Sequence, residues 1–576
     1  MILSVYCVIM VFMALTIQDF RCVCKHSADS FFNALARYCN SVLTYVGNKG
    51  KLAVIVLLER EENTMTTPLI CILIAIVIYL AVVLAVGFFF AKKNESASDF
   101  YLGGRKLGPL VTAMSAEASD MSSYLLMGLP GLAYLSGVAD VGWTVIGLAV
   151  GTYVNWLLVA KRLRLYTHAT NSFTLPQFFS DRYRDKKYIL STIAAVIIIV
   201  FFVPYTASGF AACGKLFGTL FGADYMTAMI ISAIVIVCYT AAGGFLAAST
   251  TDFIQSIIMT FALIFVVVFA TVNAGGIGAV VSNAQALPGY LSFTSTYVAE
   301  TGTASPYTLL TIVSTCAWGL GYFGMPHILL RFMAIKDESK LKLSRRVASV
   351  WVVIAMAVAV VIGIVGKGLS SVGAIEILER ADTETIIIRI AGFLSEFGIV
   401  PALLAGLVLA GILACTMSTA DSQLLAASSS VSQNILQEAM HLKLSKRTSM
   451  LIARLTVVVI AVLGVILARD PESSIFAIVS FAWAGFGAAF GPVVLFSLFW
   501  KRTTFAGALA GMVSGGVMVF VWKFLVAPLG GVFAIYELLP AFLVGAAMIF
   551  VVSLCTKAPS EEIVKEFENV GKETLA

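Results

Sequence analysis

The amino-acid sequence predicts an all-α, multi-pass membrane protein. About thirteen transmembrane helices are expected, with a five-plus-five inverted repeat over helices 2–6 and 7–11 and broken helices at a central site. Three observations carry this expectation. The 576 residues are 60% hydrophobic and 12% charged, against about 45–50% and about 25% for soluble domains. Apolar runs near the ~20 residues that span a bilayer recur along the whole chain. Two of these runs, five apart, are interrupted by Gly, Pro and hydroxyl residues, which is the mark of repeats meeting at a binding site.

The runs lie at 68–90, 110–131, 139–160, 190–213, 226–246, 253–274, 307–330, 348–369, 400–432, 450–468, 475–499, 504–526 and 537–556. The run at 400–432 is long enough to tilt. Basic residues follow the odd-numbered runs. Lys92, Lys93, Arg105 and Lys106 follow the first, and Lys161, Arg162, Arg164, Arg182, Arg184, Lys186 and Lys187 the third. Arg331, Lys336, Lys340, Lys342, Arg345 and Arg346 follow the seventh, Lys443, Lys446 and Arg447 the ninth, and Lys501 and Arg502 the eleventh. The loop at 275–306 has no Lys or Arg. The positive-inside rule then places the start of the first run outside and the C-terminus in the cytoplasm of a cell (plasma) membrane protein. These short loops explain the net charge of +6, so no nucleic acid partner is implied, and no obligatory protein partner beyond the lipid bilayer.

A transporter domain is expected over 65–557 and a cytoplasmic tail over 558–576, with a weak amphipathic pattern in EEIVKEFENV. Residues 1–64 stand apart. MILSVYCVIMVFMALTI is barely long enough to span, and Met65 precedes a well-formed run. A signal-like segment, a fourteenth helix and an over-extended gene start are the three readings. The loop charges favour the last, because one more span would invert them.

Ten cysteines and four histidines show no metal spacing and no nucleophile–base constellation, so neither an enzyme nor an organic cofactor is expected. Buried Cys behaves as a small hydrophobe, and His168 and His327 are expected in loop or interface packing. A channel would need a filter loop and a sensor an output domain; the sequence shows neither.

The stretch SAEASDMSSYLLMGLPG carries Glu117 and Asp120 inside the second run, where a carboxylate costs about 2.5–3.5 kcal/mol on insertion scales. Small and hydroxyl residues around them, with Gly128, Pro130 and Gly131, weaken the helix. Unwound backbone there is expected to line a cavity and offer carbonyls to a cation. The ninth run adds Ser418 and Thr419, followed by Asp421, Ser422 and Gln423. Hard oxygens suit Na⁺ or another alkali cation, while Asp120 and Asp421 leave a proton route open. In the seventh run Gly319, Gly321, Gly324 and Pro326 interrupt a second helix. Trp318 and Tyr322, four apart, share one face of an α-helix, and rings there can close over a small apolar solute. Packing alone would also use such hydroxyls and aromatics.

FYLGGRKLGPLVTAMSAEASDMSSYLLMGLPG, WGLGYFGMPHILLRFMA, MSTADSQLL and FAWAGFGAAFGPVVLFSLFW resemble the solute:sodium symporter family, from about Thr66 to near Val570. The resemblance implies Na⁺-coupled uptake of L-proline by alternating access. It implies Na⁺ ligands at the carbonyls of Ala118, Met121 and Cys415 and the hydroxyls of Ser418 and Thr419, with Asp120 supporting Na⁺ affinity. It also implies proline contacts at Ser122, Tyr205, Trp318, Tyr322 and Pro326, and a sensitive cytoplasmic Arg105. Glu117 replaces an expected small or neutral residue, Ser123 a Gly, and Met325 a Gln. Glu117, three residues from Asp120, is expected to share its face. Another small solute, or proton-coupled proline uptake, stays open on these grounds.

Overall fold

The computed structural model describes residues 66–91, 97–442 and 444–575, so the expectations for residues 1–64 lie outside the described residues. Among the described residues the unit Thr67–Ala576 is almost wholly helical. In chain order the main elements are α1 Thr67–Ala91, α2 Pro109–Ser123, α3 Leu129–Ser136, α4 Val138–Ala169, α5 Ile189–Phe221, α6 Tyr225–Asn273, α7 Leu309–Cys316 and α8 Pro326–Ala334. They continue as α9 Leu341–Ser371, α10 Ile386–Ser395, α11 Ile399–Ala439, α12 Lys446–Leu467, α13 Ile475–Phe499, α14 Phe505–Val521, α15 Leu538–Cys555 and α16 Glu561–Leu575. The 275–306 loop holds an unexpected short helix, Gly276–Ala286, and a hairpin of β1 Ser295–Val298 with β2 Thr303–Pro306.

Apolar runs fold as helices because a backbone in hydrocarbon must satisfy its own polar groups. Hydroxyl and carboxylate caps start several of them. Asp224 accepts from the Thr227 N–H at 2.8 Å, Ser474 from Ala477 at 3.2 Å and Thr504 from Gly507 at 3.1 Å. Each such cap is worth about 1 kcal/mol.

Among the described residues, ten helices are long and apolar enough to cross a membrane, and eleven if the bent pair Leu309–Phe323 and Pro326–Ala334 forms one span. The other two predicted runs, 110–131 and 226–246, fall on the interrupted α2–α3 segment and on the shorter apolar helix Tyr225–Ala241. Two expectations change in detail. The fifth and sixth runs are continuous as α6, with a single kink at Gly244 (φ 67°, ψ −170°) in place of a loop. Arg331, expected as a loop charge, is 1% exposed at the end of α8, so it carries no orientation signal.

Of α13, 83% of its spanning window is buried, and of α11, 67%, against 28% for α1 and for the span that starts with α14. The first two are therefore the central helices and the last two face lipid. Close approach around the second break depends on glycine. A Cβ on Gly147 would lie 2.4 Å from the Cys316 carbonyl oxygen, and one on Gly151 2.3 Å from that of Gly319. This small-xxx-small pair seats α4 directly on the backbone that follows α7.

The tail is a docked helix. Ile563, Phe567 and Val570 of α16 are buried. Arg162 lies 4.6 Å from the Phe567 ring centre, and Arg184 pairs with Glu566 at 2.5 Å.

Gly151→Val should lower the unfolding temperature of the detergent-solubilised chain, with a cost of about 1–3 kcal/mol for overpacking. Gly530→Val serves as the comparison, since a Cβ there meets nothing within 4 Å, although its φ of +74° adds strain of its own. A Gly151→Val melt that matches wild type would show that the contact yields freely.

Candidate functional site

The second run breaks at Ser122. Its φ of 47° and ψ of −170° leave the helical region, and the π-turn Tyr124–Gly128 follows. A non-Gly residue at positive φ costs roughly 1–2 kcal/mol. The Ser122 hydroxyl recovers part of this by accepting from the Tyr124 N–H at 3.1 Å.

α11 crosses this break and meets its carbonyls with hydroxyls. Ser418 Oγ donates to Ala118 O at 2.7 Å and to Cys415 O at 3.1 Å. Thr419 Oγ1 donates to Cys415 O at 3.2 Å, and Cys415 Sγ donates to Ser122 O. Four of the five predicted cation ligands thus fall in one buried cluster: Ala118 O, Cys415 O, Ser418 Oγ and Thr419 Oγ1. All are hard, uncharged oxygens, the donor type that suits an alkali cation. The fifth is Met121 O, one residue before the break. Met121 O accepts from the Tyr124 N–H within the π-turn, and no hydrogen bond links it to the hydroxyl pair.

Asp120 turns away from that pair. Its Oδ2 accepts from the Tyr322 hydroxyl at 2.5 Å, and its carbonyl from the Tyr205 hydroxyl at 3.3 Å. Both Asp120 bonds therefore tie the broken helix to tyrosines, two residues along the chain from the Ala118 carbonyl of the oxygen cluster. A small cavity adjoins it, lined by Asp120, Met121, Tyr124, Tyr205, Trp318 and Trp483 with three aliphatic side chains, and about 10 Å³ of it is free, space for about one water. Trp318 stacks on Tyr124 at 5.5 Å and on Tyr536 at 5.1 Å. Trp483 donates to Trp318 O at 2.8 Å and meets the Tyr322 ring edge-on at 5.1 Å. Residues 317–323 form a 3₁₀ turn, in which i and i+3 eclipse. Trp318 and Tyr322 consequently do not share one α-helical face; they flank Trp483 instead. Ser122 sits at the break, and Pro326 opens α8 at its first turn; neither lines the cavity.

Glu117 and Asp120 take separate hydrogen-bond partners, despite their spacing. Glu117 Oε1 accepts from Trp156 Nε1 at 2.8 Å and from Thr152 Oγ1 at 3.3 Å. Its Oε2 is buried without a partner. Neighbouring Asn155 begins a π-bulge and donates to Tyr322 O at 3.0 Å. Asp421 belongs to a third group, where it accepts from Tyr239 and, at 3.1 Å, from Ser422 Oγ. Arg331 completes that group with bonds to Asp252 at 3.1 Å, Ser422 at 2.5 Å and Ser115 at 3.1 Å.

Arg105 lies outside the spans in a left-handed turn (φ 56°) that follows Gly103 and Gly104. It donates to the carbonyls of Ser172 at 2.7 Å, Thr167 at 2.8 Å and Met333 at 2.9 Å. Burial, then Arg164, lowers its pKa to about 10, so it stays cationic at neutral pH and ties the end of α8 to the end of α4.

Tyr124, Trp483, Tyr536, Asp252 and Arg331 were not predicted at the site. The last two carried a signal, an acid and a base each inside an apolar stretch. The aromatics carried none that separates them from ordinary core residues. His327 is fully buried on α8 beside Phe202 and Tyr205 of α5, so of the loop and interface positions expected it takes the interface between helices.

The model described as "Sodium:solute symporter family" matches residues 100–515. The chain is 42% identical over 510 residues to the sodium/proline symporter of Haemophilus influenzae, which covers 87% of this chain and 97% of that one. It is 40% identical over 513 residues to the sodium/proline symporter of Escherichia coli, at 87% and 96% coverage. A solved Na⁺-coupled sialic acid symporter has the same fold, with a TM-score of 0.70 at 17% identity over 85% of this chain and 99% of that one.

Trp156→Phe should leave Glu117 with only the longer Thr152 bond. The expected loss is about 1–3 kcal/mol of stability, the cost of an unsatisfied buried group. A detergent melt beside Trp143→Phe, whose N–H bonds a more exposed carbonyl, checks this. Equal shifts in the two variants would show that Trp156 contributes packing alone.

Proposed function

The chain belongs to the sodium:solute symporter family, and from that premise we propose that it takes up L-proline with Na⁺ by alternating access. The observation that carries this is the break at Ser122. It sets four oxygens of Ala118, Cys415, Ser418 and Thr419 on one side of Asp120 and an aromatic-walled cavity on the other. The oxygens would hold Na⁺, with Met121 O turning inward as the site fills. Trp318, Tyr322, Tyr205 and Tyr124 would enclose the pyrrolidine ring, with Ser122 and Pro326 shaping the broken backbone around it. The relatives named sodium/proline symporter at about 40% identity over most of the chain support the substrate.

Coupling follows from linkage. The cavity in this state has room for about one water, so proline needs its walls to part. Na⁺ that bridges α2 and α11 would favour the arrangement in which they do. Each ligand then tightens the other by the same factor, about 5–150-fold for a coupling of about 1–3 kcal/mol. The orientation proposed has the start of α1 outside and α16 in the cytoplasm, with the transporter domain at 65–557 and the tail at 558–576.

In liposomes that hold the purified chain, radiolabelled L-proline uptake should rise with an inward Na⁺ gradient. It should stay at background when K⁺ replaces Na⁺, even with an inward proton gradient. Uptake driven by protons alone would reassign Asp120 and Glu117 as a proton pair, and no uptake under either gradient would reassign the substrate. Ser418→Ala with Thr419→Ala should abolish most of the Na⁺ stimulation, moving it from about 5–150-fold towards unity. Trp318→Ala should raise the proline KM about tenfold, the equivalent of about 1.4 kcal/mol, and leave the Na⁺ concentration for half-maximal uptake nearly unchanged.

A further inference from the structure

A lipid-facing groove of about 540 Å³ runs between α9, the second half of α6 and α2. Its floor and walls are apolar: Val350, Ile354 and Val358 from α9, Leu263 from α6 and Met114 from α2. Trp351 closes its base by donating to Thr260 Oγ1 at 2.8 Å. At one end stands Arg346, exposed and without a hydrogen bond or ion pair among the described residues.

From Arg346 to Val358 the groove follows α9 for about 18 Å, at ~1.5 Å per residue. One leaflet of a bilayer core is about 15 Å deep, half of ~30 Å. Length and charge therefore match a single molecule, with an acyl chain along the apolar floor and a phosphate at the guanidinium. We propose that this groove is a binding site for one anionic phospholipid, seated in the leaflet on the side of the basic loops. That leaflet is rich in acidic headgroups, and Arg suits phosphate through its bidentate fork. The lipid would wedge between α2 and α9 one residue from Ser115, whose hydroxyl bonds Asp252 at 2.6 Å. The site does not depend on which solute is carried.

The full chain in phosphatidylcholine bilayers, given phosphatidylglycerol brominated at mid-chain, should lose the fluorescence of Trp351. Quenching should need about fivefold less phosphatidylglycerol than equally brominated phosphatidylcholine, the factor for ~1 kcal/mol per basic residue at the headgroup level. Arg346→Gln should make the two lipids equal, and Trp351→Phe should remove the quenched component. Native mass spectrometry of delipidated protein, with phosphatidylglycerol added back, gives a second readout that keeps Trp351. Wild type should retain one lipid that Arg346→Gln loses. Equal quenching by both lipids, or a preference that survives Arg346→Gln, would overturn the proposal and leave the groove to annular lipid.

Discussion

The departure of Ser122 from helical geometry governs the centre of this molecule. Inside a membrane there is no water to take up the carbonyls and N–H groups that a broken helix releases, and each unsatisfied group costs several kcal/mol. The chain answers locally and at long range. Ser122 takes the Tyr124 N–H with its own hydroxyl, while α11 brings Ser418 and Cys415 to the carbonyls of Ala118 and Ser122. Those answering bonds are weak and reversible, because a hydroxyl that donates to a carbonyl can turn and coordinate a cation beside it. The groups that make the break tolerable are thus the same groups that the proposed cation site would use.

The carboxylates follow the same constraint. Three of them enter the core within reach of α2, and each has a separate set of donors. Asp120 has Tyr322, Glu117 has Trp156 and Thr152, and Asp252 has Arg331 and Ser115. Breaking a buried pair such as Asp252–Arg331 costs about 3–5 kcal/mol, so each set binds α2 firmly to a different neighbour. Asp120 joins it to the 3₁₀ turn after α7, Glu117 to α4 and Ser115 to α6 and α8. A movement of α2 must exchange these bonds together or carry the neighbours along.

Sequence reasoning reached the helical runs, the two interruptions and four of the oxygens that the structure gathers at the first of them, because each leaves a mark in composition. Polar residues within an apolar run are conspicuous, and Asp120, Ser418 and Thr419 needed only that. Side-chain direction left no such mark. The spacing of Glu117 and Asp120 puts them near each other on an ideal helix, yet their partners lie on different neighbours. Trp318 and Tyr322 were assigned one face on α-helical geometry, and the tighter 3₁₀ winding separates them. Trp483 and Tyr536 come from α13 and from the segment before α15, more than 150 residues away, and only packing across the fold identifies them. Arg331 was hidden for the opposite reason. It follows an apolar run, so it resembles a loop charge until Asp252 is found opposite.

The geometry of Asp120 bears on how two ligands communicate. A carboxylate placed directly on a cation would serve Na⁺ alone, and the solute would sense it only through charge. Here the side chain is held by Tyr322, which stands behind the cavity-lining Trp483, while the neighbouring backbone supplies the Ala118 carbonyl of the oxygen cluster. A cation that draws on Ala118 O and Cys415 O must displace the bonds Ser418 and Thr419 now make. In the proposed site that exchange would move α11 relative to the broken end of α2, and Asp120 with it. Tyr322 then loses or keeps its 2.5 Å bond, and Tyr322 meets Trp483, which bonds the Trp318 carbonyl. Each step is a contact between neighbouring residues, and the chain from hydroxyl pair to aromatic wall is short. Differential contacts of this kind are what linkage requires, and in the proposed mechanism the broken segment of α2 would carry them.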